Sequence, residues 1–262
     1  MCRKNGLRPA TAEEAKKLGV PPAYTDVLIA DDPKADLIAT ARTPKGKTFY
    51  MYSASFRERM NRRKFKRVRA LMTRIDKIEQ RVLRDAQRFE TESLATCARL
   101  IMLTGMRNGG ESQGEKRSYG ATSLLVEHCE RMPDGIRFRF TGKHGVEQDY
   151  VVNDVVIYNW VSDRMASERV RLFDHDAGAT LRYMKKLGCA KVHDLRTWRA
   201  NVIAEALMRE VQEQGLPESK KGKKQMVRFI AEQVASALGN KPGQALKSYI
   251  DPKVIRPLME EE

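Results

Sequence analysis

Residues 136–152 read IRFRFTGKHGVEQDYVV. Ile136, Phe138 and Phe140 alternate with Arg137 and Arg139, the period of a strand with one buried and one wet face. Thr141-Gly142-Lys143-His144-Gly145 supplies turn chemistry, and the chain returns through Val146 to Val152, so the stretch predicts a β-hairpin with Lys143 on its turn. The flanks have a different period. Upstream, Val82, Ala86 and Phe89, then Leu94, Ala98 and Ile101, recur at helical intervals of three or four. Downstream, Asp194 is placed to cap a helix running through Met208. Val227, Ile230, Val234 and Ala237 mark another helix, stopped by Gly239-Asn240-Lys241-Pro242-Gly243. Ser219 to Lys224 (SKKGKK) between them is expected to be a basic loop. A single hairpin set among helices points to an α+β fold for this part of the chain.

The beginning of the chain is organised differently. Asp26 to Ile29, Leu37 to Thr40 and Thr48 to Tyr52 are short β-prone runs separated by Asp31-Asp32-Pro33 and Pro44-Lys45-Gly46, which are turn sequences. A boundary near residue 78 therefore divides a small β-rich N-terminal domain, residues 1–78, from a mainly α-helical domain, residues 79–262, that carries the hairpin. The 262 residues suffice for a sizeable core.

Charge narrows the function. Lys and Arg number 49 against 34 Asp and Glu, a net +15, and such a surface suits a polyanionic partner, first of all nucleic acid. Residues 1–80 hold 19 Lys and Arg against 9 Asp and Glu. Within them Arg57 to Arg69 (RERMNRRKFKRVR) packs eight cations and one Glu into thirteen residues. Phe56, Met60, Phe65 and Val68 fall on one helical face, so the cations, Arg59, Arg62, Arg63 and Lys66 among them, are expected to point outward along phosphates. No apolar run approaches the roughly 20 residues of a spanning helix, and Met1 to Ala10 lacks the apolar segment of a secretory signal. Cys2, Cys97, Cys129 and Cys189 form no CxxC pair and read as free thiols. An intracellular protein without membrane association is expected. Gly46-Lys47-Thr48 looks like the end of a phosphate-binding loop, but the earlier glycine would fall at position 41, which is alanine, so no nucleotide cofactor is expected. Asp31, Asp32 and Asp36, and Asp174-His175-Asp176, read as turns rather than metal ligands, and no metal site is assigned.

What remains is a set of cations and one tyrosine: Arg107 in LTGMRNGGE, Lys143 on the hairpin turn, Arg196 in VHDLRTW, and Asn240 nine residues before Tyr249 in LGNKPGQALKSYIDP. Taken singly, each has an ordinary structural reading. Together and in this order they resemble the active site of the type IB DNA topoisomerases, especially the compact poxviral and bacterial forms, whose set is Arg, Lys, Arg, His or Asn, and Tyr. The resemblance implies that Arg107 and Arg196 are the two arginines, Lys143 the lysine, Asn240 the His/Asn position and Tyr249 the nucleophile. It extends to the N-terminal part. Pro21 to Val27 resembles the family's entry into its first strands, and Lys45-Gly46-Lys47 with Tyr50 and Tyr52 resembles its DNA-facing strand. Lys47, Tyr50, Tyr52, Arg59, Arg63 and His193 are accordingly expected to contact DNA.

The chemistry suits these residue types. Attack of a tyrosine oxygen on a phosphodiester builds charge on the nonbridging oxygens, which two planar guanidiniums can receive while an amide adds a further hydrogen bond. Lys143 can deliver the proton that the departing 5′ oxygen needs, which a guanidinium does not release. The resemblance further implies a C-shaped clamp around duplex DNA, a monomer, and relaxation of supercoils through a transient single-strand break with a 3′-phosphotyrosyl bond, independent of ATP and metal. Two departures stand out. Gln113 replaces a tyrosine six residues after the first arginine. His193 replaces a lysine three residues before the second arginine, and His193-Asp194-Leu195-Arg196 also matches the HxLR of tyrosine recombinases. A site-specific recombinase, and a non-catalytic basic DNA-binding protein of the same fold, are the alternatives.

Overall fold

The N-terminal basic segment is organised by a four-stranded antiparallel meander. In this computed structural model, which describes residues 6–109 and 117–259, strands β1 (Leu7–Pro9), β2 (Thr25–Ala30), β3 (Leu37–Arg42) and β4 (Thr48–Tyr52) pair in chain order. Ala39 and Ala41 alternate onto the buried face of β3 and join Val20 and Ile29 in a small core. Helix α1 (Ala12–Lys17), absent from the sequence reading, starts on a capping box between Thr11 and Glu14. Gly46, at φ +71°, turns β3 into β4, so Gly46-Lys47-Thr48 belongs to a hairpin and does not feed a helix as a nucleotide loop must. The chain forms two compact units, residues 1–64 and 65–262, and the division falls inside helix α2 (Ala54–Met72).

In the second unit α3 (Ile75–Asp85) and α4 (Glu92–Thr104) come first. Asp85 ends α3, and Phe89, read from its spacing as part of that helix's apolar face, instead lies in the following turns with 93% of its surface exposed. Helix α4 is apolar nearly all round, with Ala95, Cys97, Ala98, Leu100, Ile101 and Met102 buried. That is the pattern of a central helix, and it packs on α3, on α5 (Val155–Ala166), on α6 (Ala177–Lys186) and on α7 (Val192–Gln214).

The expected hairpin is present as β6 (Gly135–Thr141) and β7 (Glu147–Val152), with β5 (Cys129–Met132) added as a third antiparallel strand. Ile136, Phe138 and Phe140 face the core as their alternation requires. Helices α8 (Lys220–Leu238) and α9 (Pro242–Ser248) follow α7. The basic segment Ser219 to Lys224 is not a loop. The Ser219 hydroxyl accepts from the Gly222 amide and starts α8, whose buried face is Val227, Ile230, Ala231, Val234, Ala235 and Leu238, while Ala237 is exposed.

Two apolar clusters divide this unit. One gathers α3 to α6 and the sheet and ends at Leu195; the other begins at Ala200 and gathers the rest of α7 with α8, α9 and the C-terminal turns. Helix α7 is the strut through both, and Arg196 sits where they meet. No helix among the described residues is long and apolar enough to cross a membrane. Gln113 and Cys2 lie outside the described residues; Cys97, Cys129 and Cys189 are free and buried.

Candidate active site

At that seam Arg107, Lys143, Asn240 and Tyr249 line one cavity of about 470 Å³, together with Met106, Tyr119 and Gln148. Arg196 reaches it from below, its guanidinium carbon 5.3 Å from the centre of the Tyr249 ring and its Nη2 donating to Asn240 Oδ1 at 3.0 Å. The five residues of the constellation thus converge from positions spread over more than half the chain.

Each arrives by a local device. Helix α4 stops at Gly105, whose left-handed φ of +66° turns the chain and directs Met106 and Arg107 toward the cavity. Lys143 stands on the short turn between β6 and β7, next to His144 at φ +66°. Helix α8 ends on Gly239, whose left-handed φ of +58° favours glycine; it lies against the end of the Gln148 side chain of β7, and Asn240 beside it lines the cavity. Tyr249 closes the short helix α9 and is only 3% exposed, so its ring is part of the cavity floor.

Arg196, 2% exposed, is fixed by its other bonds: Nη1 donates to the Gly105 carbonyl at 2.6 Å and Nη2 to the Leu238 carbonyl. It therefore ties together the ends of α4 and α8, the two elements that deliver Arg107 and Asn240. Arg196 Nε and Asn240 Nδ2 are buried donors with no partner among the described residues. Buried donors are normally satisfied, and an anionic oxygen in the cavity would satisfy both. Tyr150 of β7 shares this setting. Burial pushes its phenol above the ordinary tyrosine range, Arg196 and Arg107 pull it back, and its hydroxyl donates to Gln148 Oε1 at 2.7 Å.

His193 stacks on Tyr249, ring centres 5.5 Å apart and 19° from parallel, with Nε2 3.4 Å from the tyrosine oxygen. Expected to contact DNA, it lies against the Tyr249 hydroxyl. Asp194, read from sequence as a helix cap, is not one: Lys191 occupies the cap position, and Asp194 sits in the first turn of α7, drawn inward by Arg67.

One residue went unrecognised. Asn201, 2% exposed, donates from Nδ2 to the carbonyls of Tyr249 and Thr197 at 2.9 and 2.7 Å, and its Oδ1 accepts from the amide of Asp251 at 2.7 Å. It grips the backbone on both sides of Ile250 and so holds the turn that carries Tyr249. A lone amide between Ala200 and Ala204, on the buried face of an amphipathic helix, was the available signal.

In the first unit Tyr50 and Tyr52 share one face of β4 and stack at 6.4 Å; Tyr52 also stacks on Phe56 at 4.8 Å, and the Arg59 guanidinium lies 5.7 Å from the Phe56 ring. The two tyrosines are exposed, as are Lys47 and Arg63. Arg59 is partly neutralised by Asp36 at 2.6 Å, and Arg62 pairs with Glu58 at 3.4 Å.

The family model for the catalytic core of eukaryotic DNA topoisomerase I matches residues 53–257, a span that contains Arg107, Lys143, Arg196, Asn240 and Tyr249. The chain is also 27% identical over 259 residues to DNA topoisomerase 1B of Acanthamoeba polyphaga mimivirus, covering 91% of this chain and 77% of the viral one. On the extent of the family match, the chain belongs to the type IB DNA topoisomerase family.

Proposed function

We propose that this topoisomerase relaxes supercoiled duplex DNA by breaking one strand at a time, with Tyr249 as nucleophile, Arg107, Lys143, Arg196 and Asn240 as its catalytic partners, and no need for ATP or a metal ion. The observation that carries the reading is the convergence of a tyrosine oxygen, two arginines, a lysine and two unpartnered buried donors on one cavity.

In the first step Tyr249 Oη bonds to phosphorus and the bond from phosphorus to the 5′ oxygen breaks, leaving the 3′ phosphate on the tyrosine. The proton of Oη passes to His193 Nε2, 3.4 Å away. Lys143 supplies the proton taken up by the departing 5′ oxygen. Charge growing on the nonbridging oxygens meets Arg107, Arg196 Nε and Asn240 Nδ2, donors whose positions are set before DNA arrives and so need no reorganisation. The freed 5′ end rotates, then attacks the phosphotyrosine in the reverse sequence. One phosphoester replaces another, so resealing needs no external energy.

The duplex is bound, in this reading by a monomer, through Lys47, Arg59 and Arg63 on phosphates and through the exposed ladder of Tyr50 and Tyr52, with residues 1–78 as the DNA-binding portion and 79–262 as the catalytic one. The test is incubation with supercoiled plasmid in EDTA without nucleotide. The reading requires a ladder of relaxed topoisomers from the wild type and none from Tyr249→Phe, which removes only the reacting oxygen. Relaxation by Tyr249→Phe, or a strict need for ATP, would contradict it.

A further inference from the structure

Eight cations crowd residues 57–69, and composition alone would aim all of them at phosphates. Two of them are paired with buried carboxylates. Arg67 Nε and Nη2 donate to the two oxygens of Asp194, each at 3.1 Å, and Arg69 Nη1 is ion-paired with Asp251 Oδ2. Both carboxylates are buried, Asp194 at 3% and Asp251 at 6% exposure. A buried carboxylate stripped of its partner is strongly unfavourable, so neither arginine can be lent to a phosphate without leaving one behind.

The location of the two carboxylates gives the pairs their meaning. Asp194 lies between His193 and Arg196 in the first turn of α7. Asp251 follows Tyr249 by two residues, its amide donates to Asn201 Oδ1, and its own carboxylate accepts from the Lys253 amide at 3.1 Å. Phe65, Val68 and Leu71 bury the adjoining face of α2, which fixes the helix as a base for both arginines. One helix thus reaches, two residues apart, the two segments whose relative placement sets the distance from Tyr249 to Arg196 and His193.

We propose that Arg67 and Arg69 are positioning residues of the catalytic centre, Arg67 holding the Arg196 segment through Asp194 and Arg69 holding the nucleophile turn through Asp251. The proposal rests on Tyr249 and Arg196 acting as described above. It separates the cations of α2 into those that bind DNA and the two that pair with buried carboxylates and set geometry.

The experiment measures single-turnover formation of the covalent adduct at saturating duplex, together with duplex affinity against salt, for Arg69→Gln, Asp251→Asn, the double variant and Arg69→Lys, with rates normalised to the folded fraction from thermal unfolding. A displacement near 1 Å of a reacting group can lower a rate about 100-fold. Arg69→Gln and Asp251→Asn should each slow cleavage about 10- to 100-fold with affinity and salt slope unchanged. The double variant, which leaves no unpaired charge, should be no slower than the worse single one, because both remove the same contact. Arg69→Lys should lie between, keeping the charge but losing the fork. A phosphate contact predicts the reverse: a salt slope lower by about one unit and an unaltered rate at saturation. That result, or losses that multiply in the double variant, overturns the proposal. Absence of any adduct from the wild type would instead overturn the reading of Tyr249 on which it rests.

Discussion

Replacing Asn201 by alanine isolates the contribution of backbone restraint to Tyr249, the proposed nucleophile. The side chain makes three hydrogen bonds; the one to Thr197 is a local bond within α7, while those to the Tyr249 carbonyl and from the Asp251 amide cross between chain segments. Leaving a buried backbone group without a partner costs about 1–3 kcal/mol, so two such groups set a range of about 2–6 kcal/mol. The lower end applies, because Asn201 and Asp251 also border a second cavity of about 410 Å³, lined by Arg69, Glu205 and Met208, from which water can reach both groups. A loss of about 2–3 kcal/mol leaves a domain of ordinary stability folded. At about 1.36 kcal/mol per factor of ten, the same loss concentrated in the Tyr249 turn corresponds to cleavage slowed about 30- to 150-fold. The assay is rapid-quench formation of the DNA adduct at saturating duplex, with affinity measured separately by fluorescence anisotropy. Asn201→Asp sharpens it: the carboxylate still accepts from the Asp251 amide but faces the Tyr249 carbonyl with an acceptor where a donor is required. It should therefore be at least as slow as Asn201→Ala despite its nearly identical shape. An Asn201→Asp enzyme that cleaves at the wild-type rate would refute the role assigned to this bond.

Lys143→Ala should slow cleavage of an ordinary strand by about 10²- to 10⁴-fold and recover most of that loss on a strand whose bridging 5′ oxygen is sulfur, since a thiolate leaves without a proton; equal rescue of Arg107→Ala would show that the proton is not Lys143's alone. Replacing Arg62 and Arg63 together by alanine should lower the slope of log affinity against log salt by about one to two units without changing cleavage at saturation, and an unchanged slope would place that face of α2 away from phosphate. Burial holds the His175 imidazole below the ordinary histidine range, with Asp176 and Asp174 opposing the shift, while its ring nitrogens bond Ser93 and Thr180 at 2.9 and 3.1 Å. The folded state thus favours the neutral ring, and its contribution is complete above about pH 6.5 and is lost as pH falls toward the lowered value, by at most about 1.4 kcal/mol per pH unit and less for a ring this partly exposed. Denaturant unfolding of His175→Gln should show a shallower decline below pH 6.5 than the wild type; parallel curves would refute it.

The parts of the fold legible in sequence were those set by local period. The hairpin at Lys143 shows because Ile136, Phe138 and Phe140 alternate without a break, and the helix end at Gly239 shows because glycine takes that backbone readily. Ser219 to Lys224 misled because glycine and dense charge resemble a loop, whereas a serine cap and lysines tolerated on a wet face start a helix just as well. Phe89 misled because an apolar residue at the right interval need not be buried. Arg67, Arg69 and Asn201 were invisible for another reason. Their partners lie 127, 182 and about 50 residues away, and nothing in local spacing distinguishes an arginine aimed at a distant carboxylate from one aimed at solvent. Arg107, Lys143, Arg196, Asn240 and Tyr249 were singled out by resemblance in order and type; that four of them line one cavity, with Arg196 bonded to Asn240 beside it, came only from the tertiary structure.

The most direct measurement is to trap the enzyme on a duplex whose cleaved strand is too short to stay paired, digest the adduct, and identify by mass spectrometry the residue that carries the DNA. The account predicts a single modified peptide containing Tyr249, joined to a 3′ phosphate, formed in EDTA without nucleotide and absent from Tyr249→Phe. Attachment at any other residue, Tyr119 in the same cavity included, or attachment through a 5′ phosphate, would contradict it.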